Sequence, residues 1–204
     1  MQFSSQPNKS YKNYQCELFE SKDIFTSESF YEKDFDHTRA SLIRWRKNIF
    51  NYQRNILKHS NKSFKQESLI SLRNDYYEPT KINPFLLSSF SINFWRSNKS
   101  VDKGPAMYFV VDTSKDYRII LYIGETHSAD QRWKGDHDCK QYINNYKESV
   151  LNNNLESNLD IRFFLDVPKD VKLRRKLEKQ LIHLWLPPFN KETRDRWTTT
   201  FTNN

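Results

Sequence analysis

Two runs of β-branched and aromatic residues, AMYFVVD at 106–112 and RIILYIG at 118–124, are separated only by TSKDY. Runs of this kind suit a pleated strand, and so short a connection reads as an antiparallel hairpin. A third run, LDIRFFLDV at 159–167, predicts another strand. Between them SADQRW (128–133) starts helically from Ser128, Gly135 interrupts, and DCKQYINNYKESVL (138–151) resumes. Pro168-Lys169-Asp170 then opens a long helix with an apolar face of Leu173, Leu177, Leu181, Leu184 and Leu186, ended by Pro187-Pro188. The order β-β-α-α-β-α predicts an α+β domain of about a hundred residues. Its expected core is a small three-stranded antiparallel sheet flanked by helices.

Glycine is scarce in this chain. Three occur in 204 residues, where average usage would give about fourteen. Gly104, Gly124 and Gly135 all fall in or just ahead of the hairpin and the turn after it. Three ordinary turns would explain each glycine singly. Their clustering is better explained by backbone that must approach a site closely at Gly124, enter a strand at Gly104 and reshape a helix at Gly135.

The residues before 104 form a mainly helical N-terminal extension. Positions 1–36 are acidic and aromatic without clean periodicity, and 37–103 are basic. Four Lys/Arg stand against seven Asp/Glu in 1–36, thirteen against four in 37–103, and sixteen against fourteen in 104–204. Within 37–66 there are eight basic residues and no acid. Leu42, Trp45, Ile49, Tyr52 and Ile56 recur at helical spacing, with Arg44, Lys47, Asn51, Arg54 and Lys58 opposite. Such a helix is either core-packed with a solvated charged side or a basic roof for phosphates. Its single sign of charge makes Arg44, Lys47, Arg54 and Lys58 candidate DNA contacts. A short helix is expected over 66–74. The run 84–97 is apolar, with Phe94, Trp95 and Arg96 as further DNA-facing candidates, but its period does not choose helix or strand. SNKSVDKGP (97–105) reads as a linker, and 193–204 as a polar tail.

Composition narrows the classes. Mean hydropathy is −0.90 and hydrophobic residues are 36%, but aromatics at 15% bury enough area to build a core. No apolar run is long enough to span a membrane, and the first residues lack a secretory pattern. Cys16 and Cys139 have no CxxC spacing, and the histidines form no zinc-binding pattern. A cytoplasmic protein with two free thiols is the simplest expectation.

The sharpest motif is Tyr122-Ile123-Gly124, preceded on the first strand by Tyr108 within AMYFV. Arg132 follows eight residues after the glycine, within Arg132-Trp133-Lys134. Glu178 lies in the last helix and Asn190 beyond its end. Over about 104–192 this arrangement resembles the GIY-YIG nuclease superfamily, whose two name motifs lie on adjacent strands. The first motif is degenerate here, the second intact. The resemblance implies a metal-dependent DNA endonuclease, of restriction or mobile-element type. Tyr108, Tyr122, Arg132, His137, Glu178 and Asn190 would be its catalytic residues, with Lys134 as a DNA contact. Glu178 would hold Mg²⁺ or Mn²⁺, and double-stranded DNA would be the partner, with a homodimer suited to symmetric sites. The competing class is a non-catalytic nucleic-acid-binding protein that keeps this fold.

The residue types suit phosphodiester hydrolysis. A solitary carboxylate suits a Mg²⁺ that keeps most of its waters, and argues against a two-metal site. Arginine offers an always-charged fork for phosphate oxygens. Tyrosine, with an ordinary pKa near ~10, needs a nearby cation to act as a base. Tyr108 is the first choice for that role and Tyr122 for orienting water or phosphate. Each residue has a structural alternative: strand tyrosines as core, Asn190 as a turn, Glu178 paired with Arg174 one turn earlier. The chain also departs from the pattern. Relatives often place Lys after the YIG glycine, where Glu125 stands. They have His or Tyr four residues after the arginine, where Asp136 stands, with His137 one further on.

Overall fold

The computed structural model describes residues 37–63, 77–96, 103–132, 138–197 and 201. The segment 1–36, the helix expected over 66–74 and most of the linker lie outside the described residues. So do Lys134, Gly135 and His137.

The described chain forms an α+β fold around one antiparallel sheet. Strands β1 (Ser89–Ser91), β2 (Ala106–Thr113), β3 (Arg118–Thr126) and β4 (Leu159–Phe164) take the spatial order β1-β4-β2-β3. The expected hairpin is β2–β3, and the third predicted strand is β4. The sheet has four strands rather than three. The additional one, β1, pairs Ser89, Phe90 and Ser91 with Arg162, Ile161 and Asp160. It escaped detection because 84–97 is broken into three short pieces: a 3-10 turn at Pro84–Leu86, β1, and a 3-10 turn at Phe94–Arg96. None is long enough to show a period.

Both faces of the sheet are covered, so β2 reads as an unbroken apolar run rather than an alternating one. Tyr108 and Val110 point into one core with Ile119, Leu121, Ile143 and Tyr146. Met107, Phe109 and Val111 point into the other with Ile120, Ile123, Leu177, Leu181 and Trp185. The register slips between Val110 and Val111: Val110 faces Tyr122 while Val111 faces Ile120. Leu121 is thus an extra residue, a β-bulge, and it turns Tyr122 onto the same face as Tyr108.

Helix α1 (Arg39–Ser63) is amphipathic as expected. Leu42, Trp45 and Ile49 enter the first core and Ile56 and Leu57 lean on the second, while Arg44, Lys47, Arg54 and Lys58 are exposed. Two polar residues break the simple pattern. Gln53 is fully buried and acts as a surrogate strand, accepting from the Ile120 N–H at 2.8 Å and donating to its carbonyl at 3.0 Å. Arg46 is 2% exposed and donates to Asp112 at 3.2 Å. Asp112 also takes the Tyr146 hydroxyl at 2.6 Å, the Ser157 hydroxyl and the Ser114 N–H. The boundary drawn at 103/104 therefore runs through one shared core. The tail does likewise: Phe201 is 2% exposed among Trp45, Tyr146 and Phe189.

Helix α2 spans Asp138–Asn152 and α3 Val171–Trp185. The Asp170 side chain caps α3 by accepting from the Leu173 N–H at 2.8 Å. Leu186 ends it in the left-handed conformation, at φ 46°. The apolar face differs from the leucine series expected. Leu177, Leu181, Ile182 and Trp185 are buried with Arg174, whereas Leu173 is 49% exposed and Leu186 lies outside the helix. Each such aliphatic burial contributes roughly 1.5–3 kcal/mol. No helix among the described residues is long and apolar enough to cross a membrane.

Candidate phosphoryl-transfer site

Tyr108 and Gly124 are directly opposed across β2 and β3. The Tyr108 ring lies on the Gly124 backbone, where a β-carbon would collide with it. Tyr122 stacks beside it, with ring centroids 5.9 Å apart and planes 28° from parallel. Adjacent strands and the Leu121 bulge thus bring both phenols to one place.

Arg132 reaches the same place from a single hydrogen-bonded turn. Its N–H bonds the Ser128 carbonyl at 3.0 Å, and Ala129 N–H bonds the Gly104 carbonyl at 2.9 Å. Gly104 sits at φ +135°, a backbone conformation reserved for glycine. The Arg132 side chain donates from Nε (3.1 Å) and Nη2 (3.0 Å) to the Tyr108 hydroxyl oxygen. A cation is therefore in place on the tyrosine.

Glu178 comes from the middle of α3. Its Oε1 accepts the Glu125 backbone N–H at 2.9 Å. The ordinary pairing with Arg174 does not occur: Arg174 Nε bonds Glu125 Oε2 at 2.7 Å instead. Among the described residues no Lys or Arg lies within ion-pair distance of Glu178. Asn190, 4% exposed, brackets the Ile123 peptide, accepting its N–H at 3.0 Å and donating to its carbonyl at 2.8 Å. Asn190 is thus a positioning residue for the strand that carries Tyr122 and Gly124.

Gln53, Asn190 and Glu178 together form a pattern. They satisfy the outward backbone groups of β3 at Ile120, Ile123 and Glu125, while Phe189 N–H donates to the Leu121 carbonyl. An edge strand left open would template aggregation, and here side chains close it. Glu178 accordingly has a structural duty as well as any chemical one.

The electrostatics follow from burial. Burial pushes the Tyr108 phenol well above its ordinary value, Tyr122 adds to this, and Arg132 opposes it. Tyr122 is pushed up to about 12, by burial first and then by nearby Cys139 and Glu178, with Tyr108 and Arg132 acting against. Burial would weaken the Arg132 charge, but the two tyrosines more than reverse that and raise its pKa. Burial raises Glu178 above the usual carboxylate range. The Glu125 N–H opposes this, the Glu125 and Glu192 carboxylates add to it, and Arg132 opposes it. Glu178 is thus coupled to Tyr122 and Arg132, and those two to Tyr108.

A divalent ion fits the donor set in one manner only. Among the described residues no cluster of three His, Cys, Asp or Glu has metal-binding geometry. Such an ion would rest on the half-buried carboxylate of Glu178, which no described Lys or Arg pairs, and keep most of its waters. Of the DNA-facing candidates, Phe94 is 2% exposed and serves the core, while Arg96 is exposed. A hollow of about 510 Å³ opens elsewhere, lined by residues including His37, Glu148, Asn152 and Phe201, and contains none of these groups.

Sequence reasoning missed the duties of Gln53, Arg46 and Arg174. A signal existed for the first: an amide four residues after Ile49 and three before Ile56 stands on the apolar face of α1. No protein-family model, curated protein or solved structure matches this chain.

Proposed function

We propose that this chain is a metal-dependent DNA endonuclease of the GIY-YIG type. The observation that carries the reading is the Arg132 guanidinium on the Tyr108 hydroxyl, beside Tyr122 and within the field of Glu178. These four groups come from β2, β3, the following turn and α3. They supply a fixed cation for phosphoryl oxygens, two phenols that can hold and orient water, and one hard carboxylate. Glu178 would hold Mg²⁺, and the bound ion would polarise a phosphoryl oxygen and steady the leaving oxygen. Arg132 would share the phosphate charge while fixing Tyr108. Tyr122, carried by the strand that Asn190 brackets, would orient the attacking water. The exposed basic stripe of α1 would grip the phosphate backbone of duplex DNA.

One observation favours a second reading. Both phenols sit above the ordinary tyrosine value, so at neutral pH neither is a ready base. A nucleic-acid-binding protein that keeps the architecture without cutting would show the same. Supercoiled plasmid incubated with Mg²⁺ or Mn²⁺ separates the two. Nicked circles that require the metal support the endonuclease. Salt-sensitive binding without nicking supports the binder.

A further inference from the structure

Glu125 directly follows the YIG glycine, and its backbone and side chain face different partners. The N–H donates to Glu178 Oε1 at 2.9 Å. The carboxylate is drawn the other way: Arg174 Nε donates to it at 2.7 Å, and Arg175 Nε lies at 3.7 Å. Arg174 is itself anchored. It is 2% exposed, and its Nη1 donates to the carbonyls of Pro168 at 3.1 Å and Lys169 at 3.2 Å. A guanidinium held at both ends suits this task, being rigid and always charged.

We propose, resting on the reading of Glu178 as the metal ligand, that Arg174 is a positioning residue for that site. It holds the Glu125 carboxylate toward the start of α3 with its charge offset by the guanidinium. Glu125 then turns its N–H, not a carboxylate oxygen, to Glu178, which is left as the carboxylate that meets the cation. Without Arg174, a second acid would stand uncompensated beside Glu178 and compete for the same cation. Arg175 does not replace it, being 71% exposed and more distant.

The test is Mn²⁺ binding to the full chain without DNA, followed by electron paramagnetic resonance. Glu125→Gln should bind Mn²⁺ within roughly twofold of the wild type, because Arg174 already offsets that charge and holds its oxygens away from the cation. Arg174→Met should bind Mn²⁺ roughly three- to tenfold more tightly, as Glu125 is released. The double variant Arg174→Met/Glu125→Gln should return to the wild-type affinity, and Arg174→Lys should fall between. If Glu125→Gln weakens binding beyond roughly threefold, Glu125 is itself a ligand and the proposal fails. It also fails if folded Arg174→Met binds as the wild type does. Should Arg174→Met not fold, Glu125→Gln alone decides. Unchanged binding by Glu178→Gln is a separate outcome: it overturns the metal reading of Glu178, whatever the Arg174 series shows.

Discussion

The phenol ring of Tyr108 occupies the space that a β-carbon at Gly124 would need. The two residues are cross-strand partners, so the glycine is a seat for the tyrosine rather than a turn. Glycine there lets a ring only 1% exposed keep its oxygen on Arg132.

Gly124→Ala should therefore displace Tyr108, destabilise the fold by about 1–3 kcal/mol through overpacking, and strongly reduce cleavage. The loss should be coupled to the ring. Gly124→Ala combined with Tyr108→Ala should cost less than the sum of the two changes in urea denaturation. Strict additivity would show that the contact does not matter.

Glu178 separates structure from chemistry. Glu178→Gln keeps an oxygen to accept the Glu125 N–H, so stability should stay within about 1 kcal/mol of wild type. Its neutral amide is a poor ligand for a hard cation, so cleavage should fall at least ~100-fold. Glu178→Ala should lose activity and also roughly 1–3 kcal/mol of stability, from the uncapped strand edge. Equal activity in Glu178→Gln and wild type would leave only the capping duty.

The raised phenols predict an alkaline limit. Tyr108 and Tyr146 lie well above the ordinary value through burial, and Tyr122 is about 12. A folded pKa above the unfolded one contributes stability that is intact below about 10 and lost as pH rises through the folded value. Absorbance at 295 nm should show these tyrosines ionising only as the chain unfolds, with the urea midpoint falling steeply above about pH 10. Ionisation of every tyrosine near ~10 in a folded chain would contradict the burial.

The α1 stripe makes a graded prediction. Arg44, Lys47, Arg54 and Lys58 are exposed along one face. Removing one phosphate contact should reduce the slope of log affinity against log salt by about 0.9, with little dependence on DNA sequence. Lys47→Ala and Arg54→Ala, measured by fluorescence anisotropy without metal, should each show this. Slopes equal to wild type in both would place the DNA elsewhere.

The hairpin, the third strand and the α3 boundaries were legible because each rests on a local signal: β-branched runs, a short connection, a capping Asp, a stopping Pro-Pro. The grouping of Tyr108, Tyr122 and Arg132, with Glu178 in their field, is what the resemblance carried by their order and spacing implies. What stayed hidden depended on partners far along the chain. β1 is three residues long and exists because β4 offers it an edge. Arg174 reads as one more basic residue of α3 until Glu125, 49 positions earlier, arrives beside it. The Leu121 bulge likewise depends on its register against β2.

The central claim is that Arg132 and Glu178 act on the same phosphate. The most direct measurement is the single-turnover rate of plasmid nicking in Mg²⁺ for Arg132→Ala, Glu178→Gln and the double variant. Each single change should cost at least ~100-fold, and the double variant should be little worse than the worse single, as for groups that work as a unit. Metal-dependent nicking that persists at the wild-type rate in both single variants would contradict the account.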